Sequence, residues 1–291
     1  MATPKPPSSA NYPLTQYLKV EQKFMPEVNA ALQTSRAQIA DRLSSSTRPL
    51  SDLSRARLQA ELEAVKALSN SAFDTIGSVV TRGQGAAMSA AYDTIHDYAR
   101  PLLSTTMSAE VMEAFFQGES RRAAAGIRTY MDRLGGSYVP LSDSVYNSKA
   151  WVNNQINKRV DVALVRGLSA REFAGSVVDL VNPNTPGGAR YAANRLARTE
   201  INNAFHVGSV RAMNESGVVE LVDWKLSGSH PKPDQCNEYA GDGPYEVNRV
   251  PSKPHPQCFC FIVPNLPSPE EFRANLLSGR YDDTSWANLA I

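Results

Sequence analysis

The sequence is poor in features that define several protein classes. Its 291 residues contain only three cysteines, Cys236, Cys258 and Cys260, which are too few and too unevenly placed for a disulfide-stapled secreted scaffold. No apolar run approaches the roughly 20 residues of a membrane-spanning helix, and the proline-rich start MATPKPPSSANYP lacks the apolar segment of a signal peptide. We therefore expect a protein made in a reducing cytoplasm, without a membrane partner.

An excess of charge of one sign is also absent. Thirty basic residues stand against 29 acidic ones, and the net charge of +1 gives the whole chain no electrostatic drive toward nucleic acid. The motifs HExxH, GxSxG and the P-loop do not occur, and Gly83 and Gly85 lack the third glycine of a dinucleotide-binding loop. His96 is a lone histidine on a helix, which is typical of a surface or structurally satisfied residue. We therefore predict no catalytic residue and no enzyme.

What the sequence does contain is a long series of helical patterns. Apolar residues at three-to-four spacing, N-cap residues and glycine stops predict helices over residues 14–43, from 51 to a glycine break at 82–87, and over 88–98, 109–116, 123–134, 142–166, 170–181 and 190–216. Ser169 and Glu172 of the stretch SARE predict a capping box. In the last helix small residues recur on one face as far as Gly208 and Ala212, which predicts that another element packs closely against its backbone.

Beyond Gly217 the pattern changes from helical to extended. VVELVDWKL alternates apolar and polar side chains and predicts a half-buried strand, with Val222, Trp224 and Leu226 on one side and Asp223 and Lys225 on the other. GPYEVNRVP and CFCFIV predict two more short strands. We therefore predict an α+β fold, with a predominantly helical N-terminal part and a small C-terminal α+β domain containing a short β-sheet. The predicted divisions are a flexible arm at 1–13, a helical domain at 14–140, a second domain at 141–264 and a tail at 265–291.

The stretch HPQCFC near the end of the chain holds one histidine and two cysteines. In a strand Cys258 and Cys260 point to the same side, and His255 with the distant Cys236 would complete a Cys3His tetrahedron for zinc. The spacing departs from the usual CxxC pair, because Tyr239 stands where a second cysteine is expected. We favour a different interpretation, in which Cys258, Cys260 and Ile262 face the core as apolar side chains; the zinc site comes second and a disulfide from Cys236 third. A thiol enzyme is disfavoured, because Cys258 and His255 lie only three residues apart in an extended stretch.

Charged residues gather on the helix predicted at 190–216. Arg198 and Glu200 lie on different faces of this helix, and we expect one or both to make buried polar contacts with the strand region. The helix carries four arginines, Arg190, Arg195, Arg198 and Arg211. We favour a solvent-exposed position for them over a contact with DNA phosphates.

Four stretches in this order carry a resemblance: RLARTEINNAFHVGSVRAMNESG, DWKLSGSHPKPDQC, GPYEV and PSKPHPQCFC. Together they resemble the C-terminal domain of phage Mu F-like minor head proteins, the head morphogenesis family. That family combines an alanine-bounded RTE helix, a tryptophan strand, an aspartate with a cysteine, and a closing HPxCxC. The resemblance runs from about Gln155 to Val263, a little over a third of the chain. Tyr239 departs from it, since many members carry a second cysteine there, and residues 1–140 match no family pattern.

The resemblance implies a minor capsid protein of a tailed bacteriophage, present in few copies inside the head near the portal vertex. Its expected partners are the portal protein, the major capsid or scaffolding proteins and packaged DNA. Its expected role is head assembly and genome packaging or delivery, with the protein in the host cytoplasm during assembly and in the virion afterwards. One alternative is a DNA-binding protein ejected with the genome. A toxin-like enzyme built around Arg198 and Glu200 is a third reading, disfavoured because the chain ends soon after the domain.

Overall fold

The chain folds mainly into helices. Its structure is a computed structural model, which describes residues 7–43, 55–132, 141–182, 184, 188–230 and 232–282. Within these residues there are eight α-helices: α1 (Tyr12–Leu43), α2 (Arg55–Leu103), α3 (Ala109–Asp132), α4 (Leu141–Arg166), α5 (Ala170–Val181), α6 (Ala189–Ser216), α7 (Gln235–Asp242) and α8 (Pro269–Leu277). Three strands, β1 (Leu221–Lys225), β2 (Tyr245–Glu246) and β3 (Phe261–Asn265), form one antiparallel sheet in the order β2-β1-β3. The predicted fold class is confirmed.

The ends of several helices were predicted correctly from capping residues and glycines in the sequence. The capping box at the start of α5 is present, because the Ser169 hydroxyl accepts a hydrogen bond from the Glu172 amide at 3.2 Å and the Glu172 carboxylate accepts one from the Ser169 amide at 2.8 Å. Gly167 and Gly217 follow α4 and α6 with a positive φ of 65°, the left-handed conformation that glycine adopts without steric cost. The predicted N-cap at Ser51 and the stop at Gly135 and Gly136 lie outside the described residues. Over the part of the chain that the structure covers, no helix has the length and apolar character needed to cross a membrane.

The predicted glycine break at 82–87 is wrong, because α2 runs through it without interruption. A glycine inside a helix costs about 1 kcal/mol relative to alanine, which is small beside the burial of the surrounding apolar side chains. Val80 before the glycines and Ala87 and Met88 after them are fully buried. The separate helices predicted at 109–116 and 123–134 are likewise one helix, α3.

Contacts divide the chain into two compact units that do not follow chain order. Unit 1 comprises residues 1–21, 83–138 and 199–291, and unit 2 comprises residues 22–82 and 139–198. The predicted division at 13, 140 and 264 stays a prediction. Two observations bear on its ends: α1 already begins at Tyr12, and the segment assigned to a tail contains α8, with Phe272 and Tyr281 buried in the core of unit 1.

Unit 2 is held by helix packing and by a few specific polar contacts. The Ser35 hydroxyl of α1 donates to the Leu68 carbonyl of α2 at 3.2 Å. In the same unit, Arg159 of α4 donates through Nε to the Ser176 carbonyl of α5 at 2.9 Å. Its core is the inward stripe of these helices, which includes Val28, Leu32, Ile76, Val152, Ile156, Phe173 and Val177.

Unit 1 places the sheet against a helical pair. The small-residue face of α6 lies directly on α2: a Cβ built at Gly208 would stand 2.7 Å from Met88 Sδ and 2.9 Å from Ala91 Cβ. The predicted close packing is therefore present. From β1, Val222 and Trp224 point into the same core, and Trp224 is paired in register with Ile262 of β3.

We expect Gly208→Ala to lower the free energy of unfolding by about 1–3 kcal/mol, because the added methyl overpacks a contact that includes the unyielding Ala91 Cβ. Gly85→Ala is the matched control: it lies in a helix interior with nothing within 4 Å of the new Cβ, so we expect a gain of up to about 1 kcal/mol. Chemical denaturation of both variants measures the two changes. Equal effects at the two positions would contradict the close approach of α6 to α2.

Candidate metal centre

Two short elements bring the cysteines together. Helix α7 begins with a capping box in which the Asp234 carboxylate accepts from the Cys236 amide at 2.7 Å and the Asn237 amide oxygen accepts from the Asp234 amide at 3.0 Å. This cap fixes Cys236 in the first turn of the helix. The predicted strand CFCFIV is wrong at its start, because β3 begins only at Phe261. Cys258 and Cys260 therefore lie in the loop before β3, and the pairing of β3 with β1 holds that loop beside α7.

The loop is anchored on α6 and on its own preceding segment. Asn202 of α6, 5% exposed, donates through Nδ2 to the Cys258 carbonyl, and Thr199 Oγ1 accepts from the Gln257 amide at 3.2 Å. Lys253 donates through Nζ to the Cys260 carbonyl. Gln257 itself has a φ of 57°, a left-handed conformation that is uncommon for residues other than glycine and turns the chain sharply before Cys258.

Five donor side chains meet at this point. Cys236 Sγ lies 3.4 Å from Cys258 Sγ and 3.4 Å from His255 Nε2, and Cys260 Sγ lies 3.7 Å from His230 Nδ1. Two sets of three donors lie close enough together to hold a metal ion, His230, Cys236 and Cys260 in one and Cys236, His255 and Cys258 in the other. The three cysteines are buried. The cluster could therefore bind a metal ion, and all four residues predicted from the sequence belong to it.

Three of the donor distances can be compared with those around a tetrahedral zinc ion. With Zn–S bonds of about 2.3 Å and Zn–N bonds of about 2.0 Å, a tetrahedron separates two sulfurs by about 3.8 Å and a sulfur from a nitrogen by about 3.5 Å. The three distances above agree with these values to within about 0.4 Å. Thiolate and imidazole are also the ligands that zinc prefers among protein side chains.

The thiols titrate as a linked group. Burial raises the pKa of Cys236 to about 12, whereas a hydrogen bond from Cys258 lowers the pKa of Cys260 to about 5. Of these two thiols, Cys260 is therefore the one that loses its proton more readily. Because thiolates are the ligands, metal binding has to displace the protons of protonated thiols, and affinity should increase with pH.

The two other hypotheses for the cysteines were a disulfide from Cys236 and packing in the core. All three are free thiols, so the disulfide from Cys236 is not present. The core-packing reading is correct as a description of burial, since the three side chains belong to the same cluster as Trp224 and Ile262. Burial and metal binding are compatible, because structural zinc ligands are commonly buried.

Sequence reasoning missed His230 as a member of the cluster. Its signal was weak, since it lies six residues before Cys236 in the loop SHPKPD and belongs to no standard ligand spacing. Tyr239, which stands where a second cysteine is expected, faces the core instead: its ring packs edge-on against Trp224 with a centroid distance of 5.2 Å.

The remaining sequence candidates lie elsewhere in unit 1. His96 is 5% exposed and stacks on Phe116 with a centroid distance of 4.0 Å, and burial lowers its pKa to about 3. It is therefore a neutral, packed residue rather than a surface one. Glu200 is buried and accepts a hydrogen bond from Gln84 of α2 at 3.1 Å. Arg211 pairs with Glu215 at 2.5 Å.

Comparison of the chain with protein-family models, with curated proteins and with solved structures finds no match.

Proposed function

We propose that the chain is a minor head protein of a tailed bacteriophage that docks on the portal vertex inside the head, with a zinc-stapled C-terminal region. One observation carries this proposal: the stretches that resemble the head morphogenesis family meet in one place. Thr199 and Asn202 of the RTE helix bond the HPQCFC loop, and Cys236 lies beside Cys258. A chance collection of short matches has no reason to converge on a single cluster.

The zinc in this proposal is structural. The cluster offers five donors, enough to fill all four tetrahedral positions with protein atoms, and a site without an open position favours a structural role over a catalytic one. The bound ion would tie α7 to the loop before β3. It would thereby fix the edge of a sheet that has only three short strands, and small sheets of this kind commonly need such a staple.

DNA contact is a second candidate function, favoured by the distribution of charge. Residues 22–82 and 139–198, which make up unit 2, contain 16 basic and 10 acidic residues, whereas the rest of the chain contains 14 and 19. Although the whole chain is nearly neutral, unit 2 therefore carries a net charge of +6 and unit 1 a net charge of −5. Arg190, Arg195 and Arg198 belong to the positive unit, and Arg211 belongs to the negative one. An ejected DNA-binding protein would be missing from emptied particles, whereas a portal-bound protein would remain in them.

We expect the full chain, co-expressed with the portal protein of the same phage, to form a complex that survives size-exclusion chromatography. The major capsid protein co-expressed alone with this chain is the matched control, and we expect a weaker association with it. Retention by the capsid protein but not by the portal protein would contradict portal docking. Binding to duplex DNA at low salt that is lost steeply as salt increases would instead support the second candidate.

A further inference from the structure

If the three cysteines occupy three of the four positions around a tetrahedral ion, one position remains. The cluster contains two histidines that could fill it, His230 and His255. We infer that His230, and not the His255 of the HPQCFC stretch, is the nitrogen ligand of the metal. The inference rests on the proposed zinc site and assigns its fourth ligand.

His230 has the geometry of a metal-bound imidazole. Its outer nitrogen, Nε2, lies 2.9 Å from the Asn237 amide oxygen and 3.4 Å from Asp234 Oδ1, so two oxygen acceptors hold the proton there. The inner nitrogen, Nδ1, is then left with its lone pair directed at Cys260 Sγ, 3.7 Å away. Ligating histidines typically show this arrangement, with the second ring nitrogen donating to an oxygen that fixes the tautomer.

His255 has an oxygen acceptor beside each of its ring nitrogens, and its Nδ1 atom lies 3.1 Å from the Pro256 carbonyl. Its Nε2 atom, the one that faces Cys236 Sγ, also lies 3.2 Å from Asp234 Oδ2. Of these two acceptors the carboxylate is charged and forms the stronger hydrogen bond, which favours a proton on Nε2 and leaves this nitrogen without a lone pair for a metal. Its side chain is also 37% exposed, compared with 10% for His230. His255 therefore acts as a positioning residue, which holds the Asp234 carboxylate in place at the start of α7.

The assignment also explains how the site is completed without the second cysteine. Helix α7 supplies Cys236 to the cluster, whereas Tyr239 is packed against Trp224. The donor that the helix does not supply comes from the loop just before it, through His230. The inferred ligand set is therefore Cys236, Cys258, Cys260 and His230.

The test compares His230→Ala with His255→Ala in the full chain. Zinc affinity is measured by competition with a chromophoric chelator, and ligand geometry by the visible spectrum after replacement of zinc with Co2+. We expect His230→Ala to weaken zinc binding by about a hundredfold or more and to change the tetrahedral cobalt bands. We expect His255→Ala to weaken it by about tenfold at most, as for a residue outside the ligand shell, and to leave those bands unchanged.

A second pair of variants gives a positive signal that does not depend on loss of binding. His230→Cys should keep the metal and increase the sulfur-to-cobalt charge-transfer absorption, because a fourth thiolate joins the ion. His255→Cys should leave this absorption as in the wild type. The reverse pattern in either pair, or equal effects at both histidines, would overturn the assignment of His230. Wild-type protein that binds neither zinc nor Co2+ would overturn the zinc site itself and the assignment with it.

Discussion

Removing zinc is expected to lower the midpoint of thermal unfolding by on the order of 10 °C. A ligand that binds only the folded state at a free concentration a thousand times its Kd stabilises it by about 4 kcal/mol, and each kcal/mol shifts the midpoint of a chain of this size by a few degrees. The reason lies in the arrangement of the donors, because Cys236 of α7 faces Cys258 of the loop before β3, and an ion bound to both would tie the two elements together.

Cys236→Ser separates the contribution of the metal from that of packing. With zinc present, we expect the variant to unfold at a temperature as low as that of chelator-treated wild type. With chelator present, the variant should be less stable than wild type by no more than about 1–3 kcal/mol, the cost of a serine hydroxyl without a hydrogen-bond partner at this buried position. Differential scanning calorimetry measures all four states. Two results together would contradict a metal site: a chelator leaves the wild-type midpoint unchanged, and the variant is equally destabilised with and without zinc. The three side chains would then be packed cysteines with no role in metal binding.

Acidification is expected to destabilise the protein through His96. Burial holds the pKa of this histidine at about 3 in the folded state, whereas an unfolded histidine titrates near 6.5. The unfolded chain therefore binds a proton first, so the stabilisation from neutral His96 is full above pH 6.5 and is lost as the pH falls toward 3. By linkage, the titration of His96 alone lowers the free energy of unfolding by about 2.3 kcal/mol between pH 6.5 and 4.5.

His96→Phe isolates this contribution, because phenylalanine keeps the ring that stacks on Phe116 and cannot take up a proton. Urea unfolding from pH 7 to 4.5, with chelator in every sample, should show a shallower loss of stability for the variant. Other groups, including the buried His206, whose pKa is also lowered to about 3, contribute equally to both proteins and cancel in the difference. Parallel curves for wild type and variant would mean that His96 is accessible to protons in the folded state.

Local sequence patterns predicted the features that depend on neighbouring residues. The Ser169 capping box, the glycine stops and the alternation in β1 each involve groups within a few positions of one another, so their geometry follows from short-range rules. The break predicted at Gly83 and Gly85 failed for the converse reason, since burial against distant residues outweighs a local helix penalty.

The cluster of cysteines and histidines was predicted only in part from the sequence. Residue type was enough to select His255 and the three cysteines, because they are the softest ligands in the chain. His230 could not be selected in the same way, as its role depends on the fold of the loop before α7 and on the oxygen atoms of Asp234 and Asn237. The interleaving of the two compact units could not be read from the sequence either, because it follows from contacts between residues far apart in the chain.

Cross-linking mass spectrometry of assembled, DNA-filled heads tests the proposed function most directly. A minor head protein at the portal vertex predicts cross-links between lysines of this chain and the portal protein, at a low copy number and in emptied particles as well. Absence of the chain from purified heads, or its presence there with no cross-link to the portal protein, would contradict the proposal.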